Sequence, residues 1–366
     1  MKTSFAFLTE HYKCLEDCAF CCLCEPEVPD EELSVFLSDE RLKSQILRKF
    51  ADGEYKYVIK LKNGHGACSF LAQKRCTIYE QRPLYCRLYP FQRHFSTRLQ
   101  ITANLSCRGL WESSGENLKT VVSAYIPEEK KIERMIGQLE KRYADVIEGL
   151  EADGVYISQS DLQKLVLEIM PLFTTKRGLE KILSFADGNE LATADPSEIE
   201  NTEVTADAEK YADEMSIEVF SEKDIVNLPV YPAQNLDWLL LKFENGKLRW
   251  YKMNEEGLLK AESIIVHTSK LKPMNEEAKQ LLENYIRLLN ERDLTYGNAL
   301  LLTDFSNNEI PVISNYLGAL ATSVLELWWR ANLFADTSTI DAKALREGII
   351  FYDADYLDKP TLGAVF

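Results

Sequence analysis

The stretch Cys14-Leu-Glu-Asp-Cys18-Ala-Phe-Cys21-Cys22-Leu-Cys24 decides how this chain is read, together with the block GACSFLAQKRCTIYEQRPLYCRLYPF at 66–91 and the later Cys107. These segments hold all nine cysteines of the 366-residue chain, and the 259 residues after Cys107 hold none. Purely structural thiols would be scattered through every core. Confinement to one segment argues for a shared task, and an odd count leaves one thiol outside any full disulfide set. The N-terminal MKTSFAFLTEHYKC shows no secretory pattern. No run of ~20 residues is apolar enough to span a bilayer, Pro311–Phe334 being interrupted by Glu326 and Arg330. The expected location is cytoplasmic, where clustered cysteines are more often metal ligands or redox groups than disulfides.

Spacings of two or three residues let one loop present several sulfurs to one centre, and the distant cysteines can close the coordination shell from elsewhere in the fold. Cys14, Cys18, Cys21, Cys22, Cys68, Cys76, Cys86 and Cys107 would fill two four-thiolate sites, leaving Cys24 over. One site with bystander thiols is the other arrangement. Cys21 and Cys22 are adjacent, so their side chains diverge and suit two neighbouring centres, or one ligand and one spare thiol. A metal would also supply folding free energy, on the order of 10 kcal/mol for structural zinc in small domains.

The net charge is −16, yet residues 56–108 hold ten Lys/Arg against Glu80 alone. Lys74, Arg75, Arg82, Arg87, Arg93 and Arg108 would lower thiolate pKa values and offset the charge of a four-thiolate site. The alternative is an ordinary solvated face. A nucleic-acid patch is the weaker reading, because no nucleic-acid motif accompanies it. His65 and His94 are expected as turn or surface histidines rather than ligands. Tyr79, Tyr85, Tyr89 and Phe91 are expected to form an apolar shell around the centre.

The expected fold class is α+β: a small cysteine-rich metal-binding domain followed by helices and a C-terminal mixed α/β domain. Residues 1–115 form the cysteine unit, with a strand at Tyr55–Leu61 and a turn at Asn63–Gly66 leading back into Ala67–Leu71. Residues 116–186 are a helical extension packing on it. Pro127 opens one helix, a second runs from about Gln159 to Met170, and a third reaches about Phe185. The acidic stretch 187–215 carries few large apolar residues and reads as a poorly packed linker. Residues 216–366 form a C-terminal α+β unit. It has a hairpin around Glu244-Asn245-Gly246-Lys247, a strand at Ser263–His267, and helices at Glu276–Glu291 and Pro311–Phe334.

At the two cysteine blocks the sequence resembles the YkgJ-type cysteine-cluster family of zinc- or iron-chelating proteins. The resemblance rests on the C-x3-C-x2-C-C run at 14–22 and the Arg-Pro-x-x-Cys-Arg-x-Tyr-Pro-Phe phrase at 82–91, and it covers about residues 12–108. This chain has Ala19 where the family often has Gly, and Cys24 is an extra. The family includes flagellin lysine-N-methylases, which implies a link between an iron–sulfur centre and protein lysine methylation. Cys14-x-x-x-Cys18-x-Phe20-Cys21 is also similar to the radical S-adenosylmethionine signature. That fold needs ~200 residues of alternating strand and helix, and no such alternation follows here.

The cofactor expected first is an iron–sulfur cluster of the 4Fe-4S type, with zinc as the alternative and S-adenosylmethionine as a further ligand that the resemblances imply. The expected partner is a protein substrate or binding protein, without nucleic acid. The rival to an iron–sulfur protein is a structural zinc module without catalysis. The sequence offers no Ser/His/Asp set, P-loop or dinucleotide glycine fingerprint.

Overall fold

The computed structural model describes residues 3–51, 54–189, 192–265 and 269–365. The fold is mixed α+β, with several small sheets around a helical middle and C-terminal part. The central sheet has four strands in the order Thr3–Ala6, Leu99–Ala103, Phe91–Phe95 and Ala364–Val365. Thr3–Ala6 lies parallel to Leu99–Ala103, and the other pairings are antiparallel. Leu99, Ile101 and Ala103 enter the apolar core. The alternate residues Gln100 and Thr102 are buried as well, because helix ends cover that face. The Gln100 side chain accepts from Asp293 N at 2.8 Å and donates to Glu291 O at 2.9 Å.

A buried ion pair fixes this sheet to the C-terminal helices. Arg292 and Asp353 are both fully inaccessible and meet through two hydrogen bonds, of 2.7 and 3.0 Å. Arg292 also donates to Thr102 Oγ1 and Ala103 O, both at 3.1 Å. Asp353 accepts from Leu105 N at 2.6 Å and Tyr285 Oη at 2.8 Å. Full hydrogen bonding of both charges is what makes such burial tolerable.

The periodic helices form where their apolar residues recur. Glu129–Ala152 turns Ile132, Tyr143 and Leu150 inward, and Gln159–Glu168 turns Leu162, Leu165 and Val166 inward. Lys176–Gly188 follows, started by Thr175, whose side chain accepts from Gly178 N. Val312–Asn332 is apolar on most sides and accordingly buried on most sides, among Lys176–Gly188, Ala208–Phe220, Asp293–Phe305 and Ala342–Leu357. Among the described residues, no helix is long and apolar enough to cross a membrane. Trp238–Glu244 and Lys247–Met253 form the expected hairpin, with Asn245 and Gly246 both at positive φ as its turn. The neighbouring strand runs Leu259–Ile265, and Val266 and His267 of the expected strand lie outside the described residues.

Three expectations are corrected. The strand at Glu54–Ile59 pairs with the preceding Ile46–Ala51 rather than with the segment after the turn. Beyond the turn, the return is limited to a bridge between Leu61 and Cys68, and Leu71–Ala72 pairs instead with Arg75–Cys76. The acidic stretch is not simply a poorly packed tether, because it contains the helix Pro196–Glu200 and the start of Ala208–Phe220. Asp195 and Asp207 cap these helices through their side chains, and Ile199, Ala208 and Ala212 are buried. His94 is a buried strand residue rather than a surface one. Its Nε2 lies 3.3 Å from Thr361 Oγ1, and its Nδ1 has no hydrogen-bond partner.

One hydrophobic cluster draws on the chain from Ala6 to Leu362. Two smaller ones flank the cysteine segment. Val28, Phe36, Leu42, Ile46, Ile59, Cys68, Phe70 and Ile78 form the first. Ala67 and Leu71 meet Leu228, Trp238, Leu240 and Met253 in the other, which seats the C-terminal hairpin against the cysteines.

Burial pushes the His94 imidazole down from 6.5 to about 4, against the pull of Asp293. The folded value lies below the unfolded one, so the neutral ring contributes stability that is fully present above pH 6.5 and is lost as pH falls towards 4. The expected loss across that window is about 3 kcal/mol. Urea unfolding at pH 7 and pH 4.5 should show it, and His94→Leu should flatten that part of the pH dependence; an unchanged slope in the variant would refute the assignment.

Candidate metal centre

The first cysteine loop is entered beside residue 109. His11–Tyr12 pairs with Glu116–Asn117, and Lys13 N donates to Gly109 O at 3.0 Å. A Cβ at position 109 would sit 2.1 Å from Lys13 O, so the two backbones meet only because Gly109 has no side chain. Asp17 and Ala19 then take φ of 62° and 48°, in the left-handed region. Gly suits position 19 for this reason, and Ala19 holds the turn at some cost. Phe20–Cys22 completes a single 3-10 turn. Two outside contacts fix the loop: Trp238 Nε1 donates to Cys18 O at 2.9 Å, and Cys68 N donates to Cys22 O at 2.7 Å.

The second block folds against residues 255–257. Ala67 N donates to Glu255 O at 2.8 Å, and the Glu255 carboxylate accepts from Lys74 N at 2.6 Å. Gln73 and Lys74, at φ of 53° and 61°, turn the small hairpin that returns Cys76 opposite Leu71. Pro83 precedes the short helix Leu84–Leu88 carrying Cys86. Glu32 holds that helix through Leu84 N at 2.9 Å and Arg87 Nη2 at 2.5 Å. Cys107 precedes Arg108, whose guanidinium is buried against Glu347 at 2.5 Å and Tyr231 Oη at 2.9 Å.

Cys14, Cys18, Cys21, Cys22, Cys68, Cys76, Cys86 and Cys107 all line one cavity of about 400 Å³. Every cysteine is a free thiol, and Cys24 is exposed and outside the lining. Among the described residues, no three Cys, His, Asp or Glu side chains are drawn close enough around one point to hold an ion as they stand. The thiols border a space without closing on a centre. Their donor set fits a thiophilic metal or an iron–sulfur cluster.

The electrostatics of the cavity are those of clustered sulfur. Burial pushes the Cys68 thiol up to about 11 and raises Cys18, Cys76, Cys86 and Cys107 as well. Cys22 is raised chiefly by its hydrogen bond to the Cys21 sulfur, which correspondingly holds Cys21 down.

Half of the expected cations face the cavity. Lys74, Arg75 and Arg82 line it, with Lys74 Nζ 3.1 Å from the Trp238 ring centroid and the Arg82 guanidinium 3.6 Å over Tyr79. Burial lowers the Lys74 ammonium to about 8. Arg87 and Arg108 are instead committed to Glu32 and Glu347, and Arg93 is buried away from the cavity. Of the expected shell, Tyr79 and Tyr89 line the cavity, whereas Tyr85 and Phe91 line neighbouring clefts. His65 and His94 are not part of the lining. Tyr12 and Phe20 belong to it and were not anticipated, and neither was the Trp238 contact. A second cleft, of about 550 Å³, shares Tyr12, Cys14, Tyr79, Arg82 and Tyr89 with the cavity.

Residues 13–108 match the CxxCxxCC family, described as "Putative zinc- or iron-chelating domain". A curated relative, "Uncharacterized protein MJ0661" of Methanocaldococcus jannaschii, is 31% identical over 113 residues, 29% of this chain and 61% of that protein. The chain thus spans less than two thirds of that relative's length. No solved structure matches.

Two backbone substitutions and one control test this geometry. Gly109→Ala should lower stability by about 1–3 kcal/mol through overpacking, and should reduce metal retained per chain. Gly137→Ala, with open space around it, should leave metal content unchanged. Ala19→Gly should raise the stability of the metal-loaded protein by about 1 kcal/mol by relieving the left-handed turn. Chemical denaturation with parallel metal analysis reads all three, and normal metal retention in Gly109→Ala would contradict the close approach of residues 13 and 109.

Proposed function

From a cysteine-cluster domain of the zinc- or iron-chelating type at residues 13–108, we propose that this is an iron–sulfur protein. Its ligands are Cys14, Cys18, Cys21, Cys22, Cys68, Cys76, Cys86 and Cys107. The observation that carries the reading is that eight free thiols face a single cavity of about 400 Å³. A water molecule's share of liquid is about 30 Å³, so the space far exceeds the needs of one bare zinc ion. The lining also contains Tyr12, Phe20, Tyr79 and Tyr89, an apolar wall of the kind that limits solvent access to a cluster. Lys74 and Arg82 place positive charge beside the excess negative charge of the thiolates. When bound, such a cluster supplies one-electron chemistry or a Lewis-acidic iron.

The cleft that opens beside Cys14 gives a substrate a route to the centre. It supports an enzyme over a purely structural zinc module. Because the YkgJ-type family that the sequence resembles includes flagellin lysine-N-methylases, the reaction in view is methyl transfer to a protein lysine from S-adenosylmethionine.

Protein purified without air should contain iron and acid-labile sulfide in equal amounts and absorb broadly near ~400 nm. Equilibrium dialysis against labelled S-adenosylmethionine then tests the methyl-donor part. A colourless protein holding only zinc would refute the iron–sulfur reading, and a cluster-loaded protein that retains no label would remove methyl transfer alone.

A further inference from the structure

We propose that Arg93 anchors a second binding site, a cleft that takes a small organic monocarboxylate with an apolar or aromatic body. The cleft shares no lining residue with the thiol-lined cavity, and the proposal does not depend on what the cysteines bind.

A guanidinium stays charged in a protein, so burying one calls for a counter-charge or a set of acceptors. Among the described residues four arginines are buried: Arg93, Arg108, Arg292 and Arg330. Three of them hold a carboxylate. Arg108 meets Glu347 at 2.5 Å, Arg292 meets Asp353 at 2.7 Å, and Arg330 meets Asp355 at 2.6 Å. Arg93 is 6% exposed and has no carboxylate partner among the described residues. Its Nε is sealed from solvent and makes no hydrogen bond. Burial pushes the Arg93 guanidinium down, whereas Arg292 is raised in spite of burial because Asp353 faces it.

The strand explains where this charge stands. Arg93 is the middle residue of Phe91–Phe95, opposite Ile101. Alternation puts it on the same face as Phe91 and Phe95, which both belong to the apolar core. From there it lines a cleft of about 280 Å³. The acids on that lining are not its counter-ions. Glu27 pairs with Lys56 at 3.8 Å and Glu31 with Lys131 at 3.0 Å, while Asp30 is exposed at the start of the helix Asp30–Ser38.

This arrangement selects its ligand. A carboxylate matches the guanidinium fork through two parallel hydrogen bonds. Tyr55, Tyr57, Tyr85, Phe95 and Met135 on the lining favour an apolar or aromatic body. The space is that of about nine water molecules, which suits a single ring rather than a nucleotide. Glu27, Asp30 and Glu31 oppose a doubly charged group such as phosphate more than a singly charged one.

The test titrates benzoate and phenylacetate into the full chain by isothermal titration calorimetry, with benzyl alcohol and inorganic phosphate as comparison probes. One carboxylate per chain should bind, about tenfold or more tighter than either comparison, and saturating benzoate should raise the melting temperature. Arg93→Met, which keeps an apolar stem of similar length, should weaken benzoate about tenfold or more. Wild type that binds neither carboxylate overturns the proposal. Benzyl alcohol binding as well as benzoate would reduce the cleft to an apolar hole, and phosphate binding as well would make it an unselective anion site; either result overturns the monocarboxylate assignment. Unchanged benzoate affinity in Arg93→Met removes Arg93 as the anchor. Should that variant fail to fold, Arg93→Lys, which keeps the charge without the fork, takes its place and should also bind benzoate more weakly than wild type.

Discussion

Thiols crowded around one space cannot readily ionise together. Each thiolate repels the next, and burial removes the water that would solvate it, so the protons stay on. This is the condition of Cys18, Cys68, Cys76, Cys86 and Cys107, all held above their ordinary range chiefly by burial. A bound cation reverses the balance, because it exchanges protons for metal and turns mutual repulsion into shared ligation. The nearby cations contribute only part of the compensation. Arg75 is spent on Glu16 at 2.5 Å, and Lys74 is half-buried over Trp238. Lys74 and Arg82 can soften the excess charge of a thiolate site, but they cannot replace the ion that would draw the sulfurs inward.

What the sequence made legible follows from range along the chain. The cysteine set could be read because spacing within a loop is local and the chemistry of sulfur is specific. The helix Glu129–Ala152 and the hairpin around Asn245-Gly246 could be read because period and turn chemistry are local too. The strands Phe91–Phe95 and Leu99–Ala103 escaped notice because Arg93, His94, Gln100 and Thr102 interrupt any apolar pattern. These polar residues are buried, and Gln100 and Thr102 find partners almost two hundred positions away. The same limit hid Trp238 and Glu255 from the site. Nothing near either residue signals that its side chain ends against the cysteine segment.

The acidic stretch illustrates a different limit. Its composition correctly conveys high solvent exposure, but composition averages over positions. Asp195 and Asp207 act as helix caps, and Ile199, Ala208 and Ala212 suffice to anchor two short elements. A charge that opposes packing in bulk can start a helix when it stands at the right residue.

The large C-terminal part also acquires a structural reason. A cysteine loop alone cannot fix Cys107, which is far from the others in sequence. Here Arg108 is buried against Glu347 on the Ala342–Leu357 helix, and two residues before Cys107 the Leu105 amide is bound by Asp353 of that same helix. Trp238 holds Cys18 from a second direction, and Glu255 holds Lys74 and Ala67 from a third. The walls of the cavity are therefore positioned by contacts from the C-terminal part of the chain. The small cluster around Cys68, Phe36 and Ile59 is tied to the same part of the chain, through Ala67 on Glu255 and Lys62 on Glu255 and Glu256.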